Sequence, residues 1–277
     1  MRKNLRSLAK RAFYALVPKR SQPNMRVLWQ SCIGFPLIIR GFLRGRKLEV
    51  SETAAASASS PLVTSVADSQ NPLETYFDAH TEGRGIWKWK HYFEIYHRHF
   101  CKFIGQEVRI LEVGVYSGGS LEMWRHYFGP KCIVYGVDIE EACKAYEDDS
   151  IKIHIGDQED RSFWKQFKMD VPAIDIIVDD GGHMAHQQIV TLEEMFPHLR
   201  PGGVYLCEDV CGKFNPFHAY VDGLTRNLHT GANLPTSFQR IVHSVHLYPF
   251  VIVLERLMTP VSEFVAPKQG TLWQPFL

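Results

Sequence analysis

From residue 108 onward, short β-branched and aliphatic runs recur, each followed by a stretch with helical spacing. The runs are VRILEVGV, CIVYGVDI, IKIHIGD, IDIIVDD and GGVYLCED. Between them lie GSLEMWRHYF, a short charged helix near Glu140 to Tyr146, a helix from about Asp160 to Lys168 and a helix from His186 to Leu199. In the last of these, Ile189, Leu192, Met195 and Phe196 keep a helical period and belong to the core. Apolar strands separated by crossover helices predict an α/β fold with a parallel sheet covered on both faces. The ending differs, because RIVHSVHLY and FVIVLER are separated only by Pro249. That leaves no room for a crossover, so the two runs are expected to pair antiparallel.

Before residue 108 the pattern changes twice. Residues 1–48 carry many Arg and Lys and no acid before Glu49. Their apolar run VLWQSCIGFPLII is broken by Gly34 and Pro36 and closed by Arg40, short of the ~20 apolar residues a spanning helix needs. Three readings stand for this basic arm: a cleaved organellar targeting segment, an amphipathic anchor making peripheral membrane contact, and a disordered tail. Residues 49–70, centred on SETAAASASS, read as a low-complexity linker. The folded domain is expected over residues 71–277, opening at Asn71 and Pro72 on an aromatic-rich segment.

Composition narrows the function classes. With 277 residues, 45% of them hydrophobic, the chain can bury one substantial core and an appendage rather than two large domains. Its 31 basic and 30 acidic residues leave a net charge of +1, which gives no support to a nucleic-acid partner. Cys32, Cys101, Cys132, Cys143, Cys207 and Cys211 are scattered with no C-x-x-C pair, as expected of free thiols in a reducing, intracellular and cytoplasmic setting. An organellar location is the alternative if the arm is a targeting segment.

Candidate chemistry collects at the strand ends. After the first strand, Glu112-Val113-Gly114-Val115-Tyr116-Ser117-Gly118-Gly119-Ser120 places glycines where a strand turns into a helix, so the backbone can approach a ligand and aim amides at it. A plain tight turn looks the same. Asp138 ends the second strand, where open α/β sheets direct an acid to ribose hydroxyls, and Asp157 ends the third. Strand-end solvation or helix capping is the ordinary reading of one such acid, but three on successive strands shift the balance. The fourth strand ends in Asp179-Asp180-Gly181-Gly182-His183 and the fifth in Glu208-Asp209. Four carboxylates and an imidazole thus share one edge, a crowding that calls for a cation such as Mg²⁺ or another divalent ion.

The glycine-rich turn, the acids and the terminal hairpin resemble the class I methyltransferases that use S-adenosylmethionine. The acid-acid-glycine-small-histidine turn with a later Glu-Asp is similar to the metal-dependent sugar O-methyltransferases of macrolide biosynthesis, over roughly Thr75 to Glu255. This resemblance implies a Rossmann-like, seven-stranded sheet, mostly parallel with a reversed last strand. It assigns Glu112 to the methionine end and Gly114, Tyr116, Ser117, Gly118 and Ser120 to the cofactor turn. It places Asp138 at the ribose, Asp157 with Gln158 at the adenine, and Asp179 beside the cofactor. Asp180, Glu208 and Asp209 become metal ligands, and His183 becomes the general base.

The implied activity is metal-assisted O-methylation of a small-molecule hydroxyl on a sugar, polyketide or other natural product of secondary metabolism. A hydroxylase-like enzyme, as in the cephalosporin hydroxylase-like group, and a non-catalytic binding protein are the alternatives on the same scaffold. Two segments stay open. Trp87 to Tyr92 reads as a helix over the cofactor, a substrate lid or core, with His91 and Tyr92 as candidate contacts. The stretch from Cys211 to Pro235, with Asn215, Phe217, His218 and Tyr220, reads as an acceptor-pocket wall or a helical cover. Neither the acceptor nor the oligomeric state is encoded in these motifs.

Overall fold

The computed structural model describes residues 71–171, 173–212, 215–229 and 234–271. The basic arm and the linker expected over residues 1–48 and 49–70 lie outside the described residues. Helix α1 (Pro72–Ala79) begins at Asn71, whose side chain accepts from the Leu73 amide, with Pro72 in the first turn where no amide is needed. The same Asn71 side chain donates through Nδ2 to the Phe93 carbonyl oxygen, 2.8 Å away, tying α1 to α2 (Tyr92–Phe100). Apolar and aromatic residues recur on α2 at helical spacing, so Tyr92, Phe93, Tyr96, His99 and Phe100 are all buried.

The alternating pattern then folds as expected: β1 (Arg109–Val113), α3 (Gly119–Phe128), β2 (Ile133–Asp138), β3 (Ile151–Ile155), α4 (Arg161–Asp170), β4 (Ile174–Asp179), α5 (Ala185–Met195) and β5 (Leu199–Cys207). Helices α6 (Pro216–Thr225) and α7 (Ser237–Ile241) follow, and β6 (Val242–Tyr248) and β7 (Val251–Arg256) close the chain. Two boundaries differ from the sequence reading. The charged segment at Glu141–Tyr146 is a 3₁₀ helix, and α5 stops at Met195 because Pro197 lacks the amide that another α-helical turn requires.

The seven strands form one sheet in the order β3-β2-β1-β4-β5-β7-β6. Strands β1 to β5 pair in parallel, β7 pairs antiparallel with both β5 and β6, and the last strand is therefore the reversed one. Alternate side chains feed two cores. Ile110, Val134 and Ile176 pack with Trp124, Phe128 and α2 on one face, and Leu111, Ile177 and Tyr205 pack with Trp164, Phe167 and Leu192 on the other. No described helix is long and apolar enough to cross a membrane.

Register positions the site. Val113 lies opposite Val137 and Asp179, and Asp179 lies opposite Cys207, so β1, β2, β4 and β5 end in one row. The chain order reverses between β1 and β4, which opens a crevice beyond their carboxyl ends.

Candidate active site

A cleft of about 1130 Å³ lies over that row. On one wall, the turn after β1 presses against the turn after β4. Gly114, at φ +90°, is so close that a Cβ would overlap the Asp180 carbonyl oxygen. Asp138 organises this wall: its Oδ2 accepts from the Val115 and Tyr116 amides at 2.8 and 3.1 Å, and its Oδ1 accepts from the Glu140 amide at 2.9 Å. Partial burial pushes the Asp138 carboxyl up, but these amides outweigh it and hold it below the ordinary range. A carboxylate offers about four acceptor sites, and the three amides fill three of them, with the Cys143 thiol also reaching the carboxylate. Tyr116, Ser117, Ser120 and Asp157 also face the cleft, and Asp157 spends one contact on the Glu159 amide.

Four of the expected cofactor residues sit differently. Gln158 reaches the cleft wall, but its amide nitrogen donates to Asp179 and Thr191, each at 3.1 Å, and its oxygen accepts from the Gly182 amide at 2.7 Å. Its side chain is spent bracing the turn after β4. Asp179 is buried behind that wall, accepting from Tyr205 Oη at 2.8 Å, and burial pushes its carboxyl up to about 6 against these hydrogen bonds. Glu112 is fully buried, with Oε2 accepting from Ser120 Oγ at 2.7 Å. Gly118 packs against the Tyr146 ring rather than lining the cleft, and its φ of +75° turns the chain into α3.

At the opposite end, the carboxylates converge as the sequence predicts, and the structure shows a cation from the chain itself. Lys88 Nζ sits 2.5 Å from Asp180 Oδ2, 3.1 Å from both oxygens of Glu208 and 3.4 Å from Glu112 Oε1. Its side chain is 3% exposed. Burial alone would favour a neutral amine, but Glu208, Asp180 and Glu112 overrule it and hold Lys88 well above its ordinary range. Burial drives Glu208 upward despite Lys88, and drives Glu112 upward as well.

Helix α2 supplies further partners. Tyr96 Oη donates to Glu208 at 2.6 Å, and Tyr92 Oη, one turn earlier, donates to Asp209 at 2.7 Å. The Trp89 indole donates to the same Asp209 oxygen at 3.1 Å. These contacts place Tyr92 at the site, whereas His91 meets the Pro249 carbonyl oxygen at the hairpin turn. None of Lys88, Trp89 or Tyr96 was assigned from the sequence. The alternation WKWK gives no sign of which lysine turns inward, and Lys90 instead pairs with Asp78 and Glu74 outside.

Asp180 Oδ1 and Asp209 Oδ2 remain directed at His183 Nε2, 3.9 and 3.7 Å away. The donor atoms of Asp180, His183 and Asp209 lie within 4.8 Å of one another, a fit for a small divalent ion or for an acceptor hydroxyl beside one. Glu208, expected as a ligand, has both oxygens engaged by Lys88. Tyr116, His183 and Asp209 all adopt positive φ, of +49°, +55° and +53°. Such backbone strain in non-glycine residues concentrates at functional sites. The stretch from Cys211 to Pro235 takes the covering option among its described residues. Asn215 caps α6, Phe217 is fully buried, Tyr220 bonds Glu193 of α5, and none of them lines the cleft.

Residues 111–210 match a family model described as a methyltransferase domain. The structure is similar to MycE methyltransferase from the mycinamycin biosynthetic pathway in complex with Mg, SAH and mycinamycin VI, with TM-score 0.58 and 27% identity, over 69% of this chain and 54% of that one. The described domain has a methyltransferase fold. Among curated relatives, demethylmacrocin O-methyltransferase of Streptomyces fradiae is 37% identical over 128 residues, 44% of this chain and 32% of that protein. Mycinamicin VI 2''-O-methyltransferase of Micromonospora griseorubida is 37% identical over 129 residues, again 44% and 32%. The chain thus spans about a third of the length of these relatives. Lys88 and the two tyrosines of α2 lie before the stretch matched by the methyltransferase model.

Proposed function

We propose that this methyltransferase domain moves the methyl group of S-adenosylmethionine to a hydroxyl oxygen of a small-molecule acceptor, a sugar or another natural product, with a divalent ion such as Mg²⁺ assisting. The observation that carries the reading is the meeting, in one cleft, of a nucleoside-type wall at Asp138 and Asp157 with the Asp180, His183 and Asp209 trio. Bound S-adenosylmethionine supplies a methyl carbon whose bond to sulfur breaks as the acceptor oxygen attacks, leaving S-adenosylhomocysteine. A divalent ion held by Asp180 and Asp209 supplies charge that lowers the pKa of the acceptor hydroxyl.

The chain's own residues do the rest. Asp138 Oδ1 accepts from the ribose, Asp157 faces the adenine, and His183 Nε2 takes the hydroxyl proton. Lys88 neutralises Glu208 and Glu112 behind the reacting atoms. Relatives are named as O-methyltransferases of demethylmacrocin, of mycinamicin VI and of 8-demethyl-8-alpha-L-rhamnosyl tetracenomycin-C, and the rhamnosyl group in the last name supports a glycosylated acceptor. The intracellular location and the boundaries 1–48, 49–70 and 71–277 belong to the same proposal, and a fluorescent fusion of the full chain tests the location.

Calorimetric titration of the full chain with S-adenosylmethionine, with and without Mg²⁺, tests the central reading. Binding is expected in the wild type and lost in Asp138→Ala, while Asp180→Asn binds the donor but no longer responds to Mg²⁺. A folded wild-type protein that fails to bind S-adenosylmethionine would overturn the reading and leave a scaffold used for binding something else.

A further inference from the structure

Beyond the cleft, the far end of α2 carries a second cluster of donor atoms. His99, 3% exposed, packs against the β6–β7 hairpin with Nδ1 2.7 Å from Glu255 Oε1. The His246 ring lies 4.7 Å away from it, centroid to centroid. Strand alternation puts Ser244, His246 and Tyr248 on one face of β6, and Glu255 joins them because it pairs with Ser244. The register shifts between Val242 and Ser244, so His243 is the extra residue of a bulge. That bulge brings His243 Nδ1 within 3.8 Å of Glu255 Oε2.

Among the described residues, the donor atoms of His99, His246 and Glu255 lie within 4.8 Å of one another, as those of the cleft trio do. One nitrogen of His99 meets Tyr248 Oη at 2.9 Å, and one of His246 meets Ser244 Oγ at 2.9 Å. Metal-bound imidazoles are held in this way, with the second nitrogen fixed by a neighbouring polar group.

We propose that His99, His246 and Glu255, with His243 as the movable fourth ligand, form a site for Zn²⁺ or a similar borderline transition-metal ion. Imidazole-rich donor sets select such ions, whereas the carboxylate-rich cleft suits Mg²⁺. Arg98 and Lys102 bring positive charge toward His246 and Glu255, so affinity must come from coordination rather than long-range attraction. An ion here clamps the end of α2 to the hairpin. The same helix presents Tyr92 and Tyr96 to Asp209 and Glu208, and the hairpin turn carries Phe250, whose ring lies tilted against Trp89 with centroids 5.6 Å apart. The site lies outside the proposed catalytic apparatus and does not depend on methyl transfer.

The test is a Zn²⁺ titration of the full chain in excess Mg²⁺, by calorimetry and by thermal unfolding, with Co²⁺ absorption reporting tetrahedral ligation. It is repeated on His246→Ala, on the near-isosteric Glu255→Gln and on the cleft variant Asp180→Asn/Asp209→Asn. One Zn²⁺ per chain is expected, raising the unfolding temperature. Affinity is expected to fall at least about tenfold in both hairpin variants and to stay within about twofold of wild type in the cleft variant. Absence of Zn²⁺ binding overturns the proposal, as does binding that survives both hairpin variants. A loss in the cleft variant overturns it whatever the hairpin variants do.

Discussion

Gly114 shows how tightly a single residue constrains the site. Its φ of +90° and its contact with the Asp180 carbonyl oxygen leave no place for a side chain. Gly114→Ala is expected to destabilise the fold by about 1–3 kcal/mol from backbone strain alone, with the overlap adding to it, as measured by chemical denaturation. In the proposed reading Asp138 takes a double role, because three backbone amides depend on the carboxylate that would accept from the ribose. Losing a charge-assisted hydrogen bond costs about 1.5–3 kcal/mol, so Asp138→Asn should weaken S-adenosylmethionine binding by roughly 10- to 150-fold in a calorimetric titration. Both residues were legible in the sequence, since a strand end followed by a turn fixes where its first side chain goes. Gln158 and Asp179 were less so. Asp179 ends β4 and Gln158 lies in the turn after β3, yet their side chains meet each other and brace the turn after β4, a choice made by neighbours on other elements.

At the scale of elements, α2 and the segment before it complete the acid edge of the sheet. Lys88→Met would leave Glu112, Asp180 and Glu208 without their internal cation. Removing one partner of a buried ion pair costs about 3–5 kcal/mol. The pH dependence follows from Glu112 and Glu208, whose folded-state pKa values are raised by burial. Such groups hold protons in the folded state above the unfolded carboxylate pKa of about 4.3, so stability declines as pH rises beyond it. Without Lys88 the decline steepens, and the deficit of Lys88→Met, followed by urea melts, should be smallest near pH 4 and larger at pH 8. At the hairpin the sign reverses. The hydrogen bond from His99 draws Glu255 down to about 2 even though burial opposes it. Its stabilising contribution is therefore complete above about pH 4.3 and lost as pH falls toward 2. Glu255→Gln should flatten the acid limb of the stability profile in that window.

Among the described residues, the two cores on either face of the sheet run from Leu73 to Leu254 and draw on every strand. The domain boundary proposed at residue 71 predicts that deleting residues 1–70 leaves a folded protein that still binds S-adenosylmethionine, measured by calorimetry against the full chain. The sequence by itself determined the seven strands, their crossover helices, the reversed hairpin and the row of acids at the carboxyl edge. Those features are written in local periodicity and in turn chemistry, which act over a few neighbouring residues. Only the tertiary structure decided which cation meets the buried acids. Lys88 and Glu208 are 120 residues apart along the chain and touch because α2 packs across the sheet. Burial then strongly favours their pairing, since an unpaired charge in that core would cost a large part of the fold's stability.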